Sequence, residues 1–289
     1  MKAGADIGGT SVKVGLFDGV KLIRKIAFDF EYFGRPDECI AAVKRAVSDL
    51  LEEEGLDFTG LTSIGFSVPG SVDSDGERIA AAHNLGFYEV PIGDIARKVF
   101  PGIQVSVYND ADSAALGELH FGALKGCRTA VLLTLGTGLG GALIIEGRLF
   151  RGGLGRGTEP GHFIVNPEGD LCTCGNRGCA ETECSAGFII KKSGFKEAKE
   201  TFDRAVKGDK PSLEIIDEYI DNLSSYIAGL INLLDPEKIC LGGGVSKNGP
   251  DFYEKLTEAV SEKTFNPMLC TIVPAVLGND AGMAGALIK

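Results

Sequence analysis

Two glycine-rich turns join strand to strand, and this constrains the chain more than any other feature. "KAGADI" runs into "GGT" and out through "SVKVGLFD", while "RTAVLLTL" runs into "GTGLGG" and out through "ALIIEGRLF". Apolar and polar residues alternate in the first pair, and the second pair is apolar and β-branched, so both read as strands. The second turn satisfies GxGxxG through Gly136, Gly138 and Gly141. A dinucleotide fold, however, needs a helix directly after that motif to receive the pyrophosphate on its N-terminus. A β-rich segment follows instead, which points to a hairpin whose backbone N–H groups cradle phosphate oxygens. In "DIGGT", Gly8 and Gly9 let the backbone approach a phosphate, Thr10 adds a hydroxyl, and Asp6 is placed to hold a magnesium ion through water. A third turn, "GGGVS" at Gly242 to Ser246, follows the strand "KICL". The absence of GKS, GKT, HRD and DFG excludes a P-loop and a protein kinase. Three such turns spread over both halves are best explained by one nucleotide held between two related lobes.

The remaining pattern is α/β. "PDECIAAVKRAVSDLLEEEG" sets Ile40, Val43, Val47, Leu50 and Leu51 on one helical face and ends at Gly55. "LTSIGFSV" and "IQVSVY" read as short strands. "NDADSAALGELHFG" reads as a helix capped by Asn109 or Asp110, and "PSLEIIDEYIDNLSSYIAGLINLLD" as a long helix ended by Pro236. A last strand and helix lie in "TIVPAVLGNDAGMAGALIK". The 289 residues suffice for two lobes with a core each, and no low-complexity linker separates them. The expected boundary is a compact hinge near Gly117 to Gly122, giving an N-terminal lobe of 1–117 completed by a C-terminal helix at about 278–289, and a C-terminal lobe of 118–277.

A net charge of -11 argues against nucleic acid as a partner, because a phosphate surface wants clustered Lys and Arg. No apolar run approaches the roughly 20 residues that span a bilayer, and "MKAGADIGGT" lacks a signal-peptide core. The expected compartment is therefore the cytoplasm, with no membrane partner. Thiols stay reduced there, so clustered cysteines read as metal ligands more readily than as disulfides. Cys172, Cys174 and Cys179 stand as C-x-C-x4-C, with His162 ten residues before the first. Three thiolates and one imidazole complete a closed tetrahedral shell, which predicts a structural zinc. A disulfide and plain loop cysteines are the competing readings. Cys184 reads as a spare, and Cys39, Cys127, Cys240 and Cys270, scattered in apolar contexts, read as small buried hydrophobes.

Asn-Asp-Ala occurs twice, in "YNDADSAALG" and "LGNDAGMAGA", each after an apolar strand and before a helix. From spacing alone either aspartate, Asp110 or Asp280, serves as a helix cap or as a general base. Asp112, two residues beyond Asp110, reads as a solvated or capping carboxylate, with an exchange of roles between the two left open.

Together "DIGGTSVKVGLFD", "YNDADSAALGE", "LTLGTGLGGALI", "GTEPGHFIV" with "CTCGNRGCAE", and "LGGGVS" resemble the ROK family of sugar kinases and repressors, within the actin-like ATPase superfamily. The likeness runs nearly end to end. It implies two actin-like, ribonuclease H-like lobes with a nucleotide and sugar cleft between them, and ATP-dependent phosphorylation of a hexose with Mg²⁺ on the phosphates. Glucose is the expected acceptor. N-acetylglucosamine, N-acetylmannosamine, fructose and allose are the alternatives, and a non-catalytic sugar sensor is a further one. The resemblance makes Asp110 the base and Asp280 structural. It places the sugar on Asn109, Asp110, Glu159, His162 and Glu181, with Gly70, Ser71 and Asn84 from the first lobe. It places ATP on Asp6, Gly8, Gly9, Thr10, Lys13, Gly136, Thr137, Gly138, Gly243 and Gly244. His162 would then serve zinc with one ring nitrogen and sugar with the other. A homodimer is the implied assembly. The family's repressors carry a DNA-binding module ahead of the sugar domain; here the first loop begins at residue 6, so an enzyme is expected. Pro160, where many family kinases have an aliphatic residue, is the one departure.

Overall fold

The computed structural model describes residues 1–73, 75–155, 157–266 and 269–288; Lys289, the last residue of the expected C-terminal helix, lies outside them. The chain forms two compact units. The first comprises Met1–Lys125, Leu149–Gly157 and Asn279–Lys289, and the second Gly126–Arg148 and Thr158–Gly278.

The sheet of the first unit is built from β1 (Lys2–Ile7), β2 (Ser11–Asp18), β3 (Lys21–Asp29), β4 (Ser63–Val68) and β8 (Gln104–Asn109), in the order β3-β2-β1-β4-β8. The β1–β2 and β2–β3 pairs are antiparallel, whereas β1–β4 and β4–β8 are parallel. Ala3, Ala5 and Ile7 of β1 alternate onto one face and pack with Cys39, Ile40, Val43 and Val47 of α1 (Pro36–Glu53). Helix α2 (Ile92–Val99) adds to the same core. A small sheet of β5 (Ser71–Val72), β6 (Ile79–Ala82) and β7 (Phe87–Val90), which the sequence pattern did not announce, is inserted between β4 and α2.

The other face carries α3 (Asp110–Phe121) and the short α9 (Ala281–Gly285), which pack on one another. A register row of Gly15, Gly4, Gly65 and Ser106 crosses β2, β1, β4 and β8. A Cβ at Gly65 would overlap the Ala286 carbonyl, so the missing side chain is what lets the C-terminal segment lie on the sheet. Ser106 closes the row by donating from Oγ to that same carbonyl at 2.7 Å. Substituting Gly65→Ala should therefore cost about 1–3 kcal/mol by overpacking. A urea melt of the variant checks this, and an unchanged midpoint would contradict the close packing.

The sheet of the second unit repeats the order. It runs β11 (Arg148–Phe150), β10 (Leu139–Ile145), β9 (Ala130–Leu135), β12 (Lys238–Gly242) and β13 (Thr271–Pro274), with β9–β10 antiparallel and β9–β12 and β12–β13 parallel. Its core joins Val131, Leu133, Ile239 and Leu241 to α7 (Lys210–Leu234) and α8 (Pro250–Ser261). Around it lie α4 (Ala180–Cys184), α5 (Ala186–Ser193) and α6 (Ala198–Val206). Helix α7 starts on Asp209, whose carboxylate accepts from Ser212 N, and stops at Asp235 in the left-handed region ahead of Pro236.

The expected boundary at 117/118 falls inside α3, whose hydrogen bonding continues to a Gly122 N–H donating to Glu118 O. The first unit extends to Lys125 for that reason, and it also takes in the strap Leu149–Gly157. Among the described residues no helix is long and apolar enough to cross a membrane.

Candidate active site

In the first unit three parallel strands deliver their carboxyl ends to one side of the sheet, where ligands of α/β proteins bind. Strand β1 ends at Ile7 and opens into Gly8–Thr10, β4 ends at Val68 ahead of Gly70, and β8 ends at Asn109 ahead of Asp110. Asp6 sits in the row before the loop: its Oδ1 accepts from Ser67 Oγ at 2.9 Å and its Oδ2 lies 3.3 Å from Lys13 Nζ. Asn84, in the turn His83–Leu85, lies against Gly9, where a Cβ would stand 3.1 Å from the Asn84 Cβ, a tight fit.

Asn109 settles the capping ambiguity. Its Oδ1 accepts from Ala111 N at 2.8 Å and Asp112 N at 3.3 Å, making it the cap of α3, and its Nδ2 donates to Gly70 O at 2.7 Å. One amide thus ties the turn after β4 to the start of α3. Asp110 is the first residue of the helix, with Oδ1 2.8 Å from Ala111 N. The second Asn-Asp-Ala differs. Asp280 precedes α9 and bonds Lys25 Nζ through both oxygens at 2.9 Å.

Asp112 corrects an expectation. It is not solvated but 7% exposed, and its Oδ2 lies 3.8 Å from Nε of Arg151. Arg151, which the sequence reading passed over, also lies over the Tyr108 ring at 4.9 Å and donates from Nη1 to Asp73 O at 3.1 Å. No local signal links these residues; the strap that carries Arg151 reaches α3 only in the folded chain.

In the second unit the same rule places Gly136–Gly138 at the end of β9 and Gly243–Gly244 at the end of β12. Gly136, Thr137 and Gly244 line a cavity of about 500 Å³ whose other wall includes Ile190 and Ala198. Lys196, Lys199 and Lys247 stand at it as well. Ala186 N donates to Gly136 O at 2.8 Å, which fastens the start of α5 to the loop.

His162, Cys172, Cys174 and Cys179 present ligand atoms that all lie within 4.8 Å of one another. His162 Nδ1 is 3.6 Å from Cys172 Sγ, and Cys174 Sγ is 3.6 Å from Cys179 Sγ. Bonds near 2.3 Å to sulfur and 2.0 Å to nitrogen put tetrahedral neighbours about 3.5–3.8 Å apart, so the donor set fits zinc. Cys184 stands outside the group, fully buried, with burial pushing its thiol up. Cys39, Cys127, Cys240 and Cys270 are buried as expected.

The carboxylates beside the cluster are held firmly. Glu181, in the first turn of α4, accepts from Leu139 N at 3.3 Å and from Thr173 Oγ1 at 3.4 Å, so it touches both the second glycine loop and the cysteine loop. Glu159 precedes the short helical turn Pro160–His162. Burial raises its carboxyl above the usual range, with His162 pulling it down and Glu181 pushing it up. Pro160 suits its place: proline's fixed φ fits the first position of the turn, and its carbonyl accepts from Tyr226 Oη at 2.8 Å.

The model of the ROK family matches residues 2–288. The chain belongs to the ROK family. A glucokinase of Thermotoga maritima is 33% identical over 98% of this chain and 95% of its own length. Among solved structures, a ROK family glucokinase from Streptomyces griseus in complex with glucose and AMPPNP has a TM-score of 0.81 at 29% identity, covering 99% of this chain and 97% of that one. A ROK hexokinase from Thermus thermophilus has a TM-score of 0.84 at 31% identity, covering 99% and 96%. The segment "GTEPGHFIV" contains the turn that positions Glu159 and His162, and "CTCGNRGCAE" is the loop that carries the three clustered cysteines and leads into Glu181.

Proposed function

We propose that this protein is an ATP-dependent hexose kinase that phosphorylates the 6-hydroxyl of glucose. The observation that carries the reading is the delivery of Gly8–Thr10, Gly70 and Asp110 to the carboxyl ends of three mutually parallel strands. Phosphoryl transfer asks little covalent chemistry of a protein beyond positioning, charge stabilisation and a base. Asp110 takes the proton from the sugar hydroxyl, the oxygen attacks the γ-phosphorus, and the bond to ADP breaks with its electron pair leaving on ADP. Mg²⁺ on the nucleotide supplies neutralisation of phosphate charge.

Asp6, Gly8, Gly9, Thr10 and Lys13 serve the phosphates, as do Gly136, Thr137 and Gly138. Gly244 borders the cavity that suits adenosine, and Gly243 precedes it in the same turn. Asn109, Gly70, Ser71 and Asn84 contact the sugar, with Glu159, His162 and Glu181. The turn of Nδ1 toward the thiols supports the double use of His162: a nitrogen lone pair given to zinc leaves Nε2–H to donate to a hydroxyl. The cytoplasm and a homodimer complete the reading, the latter open to light scattering.

An ADP-release assay with Mg·ATP across glucose, fructose, allose and the N-acetylhexosamines tests the proposal. The highest kcat/KM is expected for glucose. A higher value for an N-acetylhexosamine would overturn the acceptor, and no release with any sugar would overturn the activity.

A further inference from the structure

Asp6 stands in the middle of a second register row. Lys13 faces it across the antiparallel β1–β2 pair and Ser67 across the parallel β1–β4 pair, with Tyr108 next on β8. Each member lies two residues from the row of Gly15, Gly4, Gly65 and Ser106, so these side chains emerge on the same face of the sheet. That is the face on which the C-terminal segment lies, and Tyr108 Oη donates to Ile288 O there at 2.9 Å.

The two neighbours hold the Asp6 carboxylate in different ways. Lys13 Nζ is 3.3 Å from Oδ2, with the side chains of Lys13 and Asp6 33% and 22% exposed. An ammonium on a long flexible stem in contact with water adds little rigidity and is free to turn to a phosphate. Ser67 is fully buried, and its Oγ is 2.9 Å from Oδ1. An ionised carboxylate only accepts, so the hydroxyl donates. A charge-assisted bond from a short buried side chain is the stronger hold of the two. The backbone of Gly282 lies over it: a Cβ there would stand 3.0 Å from both Asp6 Oδ1 and Ser67 Oγ. Strand β4 is buried along its whole length, so nothing in the strand itself calls for a hydroxyl at position 67. Each Asp6 oxygen keeps a further lone pair with which to accept from water on a metal ion.

We propose that Ser67 is a positioning residue for phosphoryl transfer: its buried hydroxyl fixes the Asp6 carboxylate for the hydrated magnesium of an incoming Mg·ATP, an inference that rests on Asp6 serving that metal. Gly282 belongs to the same device, because only a residue without a side chain lets the C-terminal segment cover the bond.

The test is calorimetric binding of ADP to the whole protein, without added divalent metal and again with excess Mg²⁺. It compares the parent with Ser67→Ala, Asp6→Asn and the double variant, and no chelator is used, so the cysteine cluster is left undisturbed. Mg²⁺ should strengthen ADP binding in the parent. In Ser67→Ala that gain should shrink about tenfold, the lower end of what losing a partner of a metal-binding carboxylate costs. Metal-free ADP and glucose should still bind within about twofold of the parent, a selectivity that loosened folding does not produce. Beside Asp6→Asn, Ser67→Ala should add less than about twofold, since a residue that acts through Asp6 then has nothing left to orient. A full magnesium gain in Ser67→Ala while Asp6→Asn loses it, or a further tenfold loss in the double variant, overturns the proposal. Should Ser67→Ala not fold, Ser67→Cys replaces it with a weak donor, and a full gain there overturns it equally. No gain in the parent, or a full gain in Asp6→Asn, would instead sink the reading of Asp6 as the metal's carboxylate.

Discussion

Asp110→Asn lowers kcat by about a thousandfold, the middle of the range that general-base catalysis commands, while glucose binding changes by less than about threefold. The substitution is nearly isosteric. An asparagine at this position still starts α3, because the cap is Asn109, not Asp110. The amide also keeps an oxygen able to accept from Ala111 N, the bond Oδ1 makes at 2.8 Å. What is lost is the ability to hold a proton, and only the transition state needs that, so the loss falls on kcat. Steady-state kinetics paired with calorimetric glucose binding provides the check. Residual turnover within tenfold of the parent would move the base elsewhere.

Freshly purified protein carries one zinc per chain, and Cys179→Ser releases it and weakens glucose binding by at least about tenfold. Cys179 is fully buried and immediately precedes α4, whose first turn holds Glu181 against Leu139 N. His162 belongs to the same cluster of ligand atoms, one turn from Glu159. Loss of the metal frees the cysteine loop and leaves both glutamates without a fixed wall. The cavity proposed for adenosine is lined by the loops after β9 and β12 and by α5 and α6, with neither His162 nor a clustered cysteine among its described walls, so ATP affinity serves as the internal control for folding. Elemental analysis and glucose and ATP titrations read all three effects. A zinc-free variant with parental glucose affinity would reduce the cluster to a local staple.

The strand–glycine–strand turns, α1, α3 and α7 were legible in the sequence because each rests on local periodicity or a local cap. The clustering of His162, Cys172, Cys174 and Cys179 was legible because four such donors in eighteen residues have few other uses. The small sheet β5–β7 was not, since Ser71–Val72 is too short and "IAAA" too even in polarity to show a two-residue period. Nor was Arg151: its partners Asp73, Tyr108 and Asp112 lie far back in the chain, and only folding brings them to it. Asp112 looked solvated for the same reason, because a buried aspartate and an exposed one read alike until the cation that compensates it is known. Asn109 and Asp110 were interchangeable as caps until the hydrogen bond to Gly70 O fixed the amide.

The seating of residues 279–288 on the glycine row has a consequence for biosynthesis. A ribosome emits the first 125 residues early, yet the part of the sheet face that α9 covers stays open until residues 279–288 clear the exit tunnel. At about 5–20 residues per second the nascent first unit waits many seconds with an open groove. The second unit, contiguous but for the strap, is itself complete only at Gly278, so its residues follow one another out of the ribosome while the first unit's last segment is separated from the rest by more than a hundred residues.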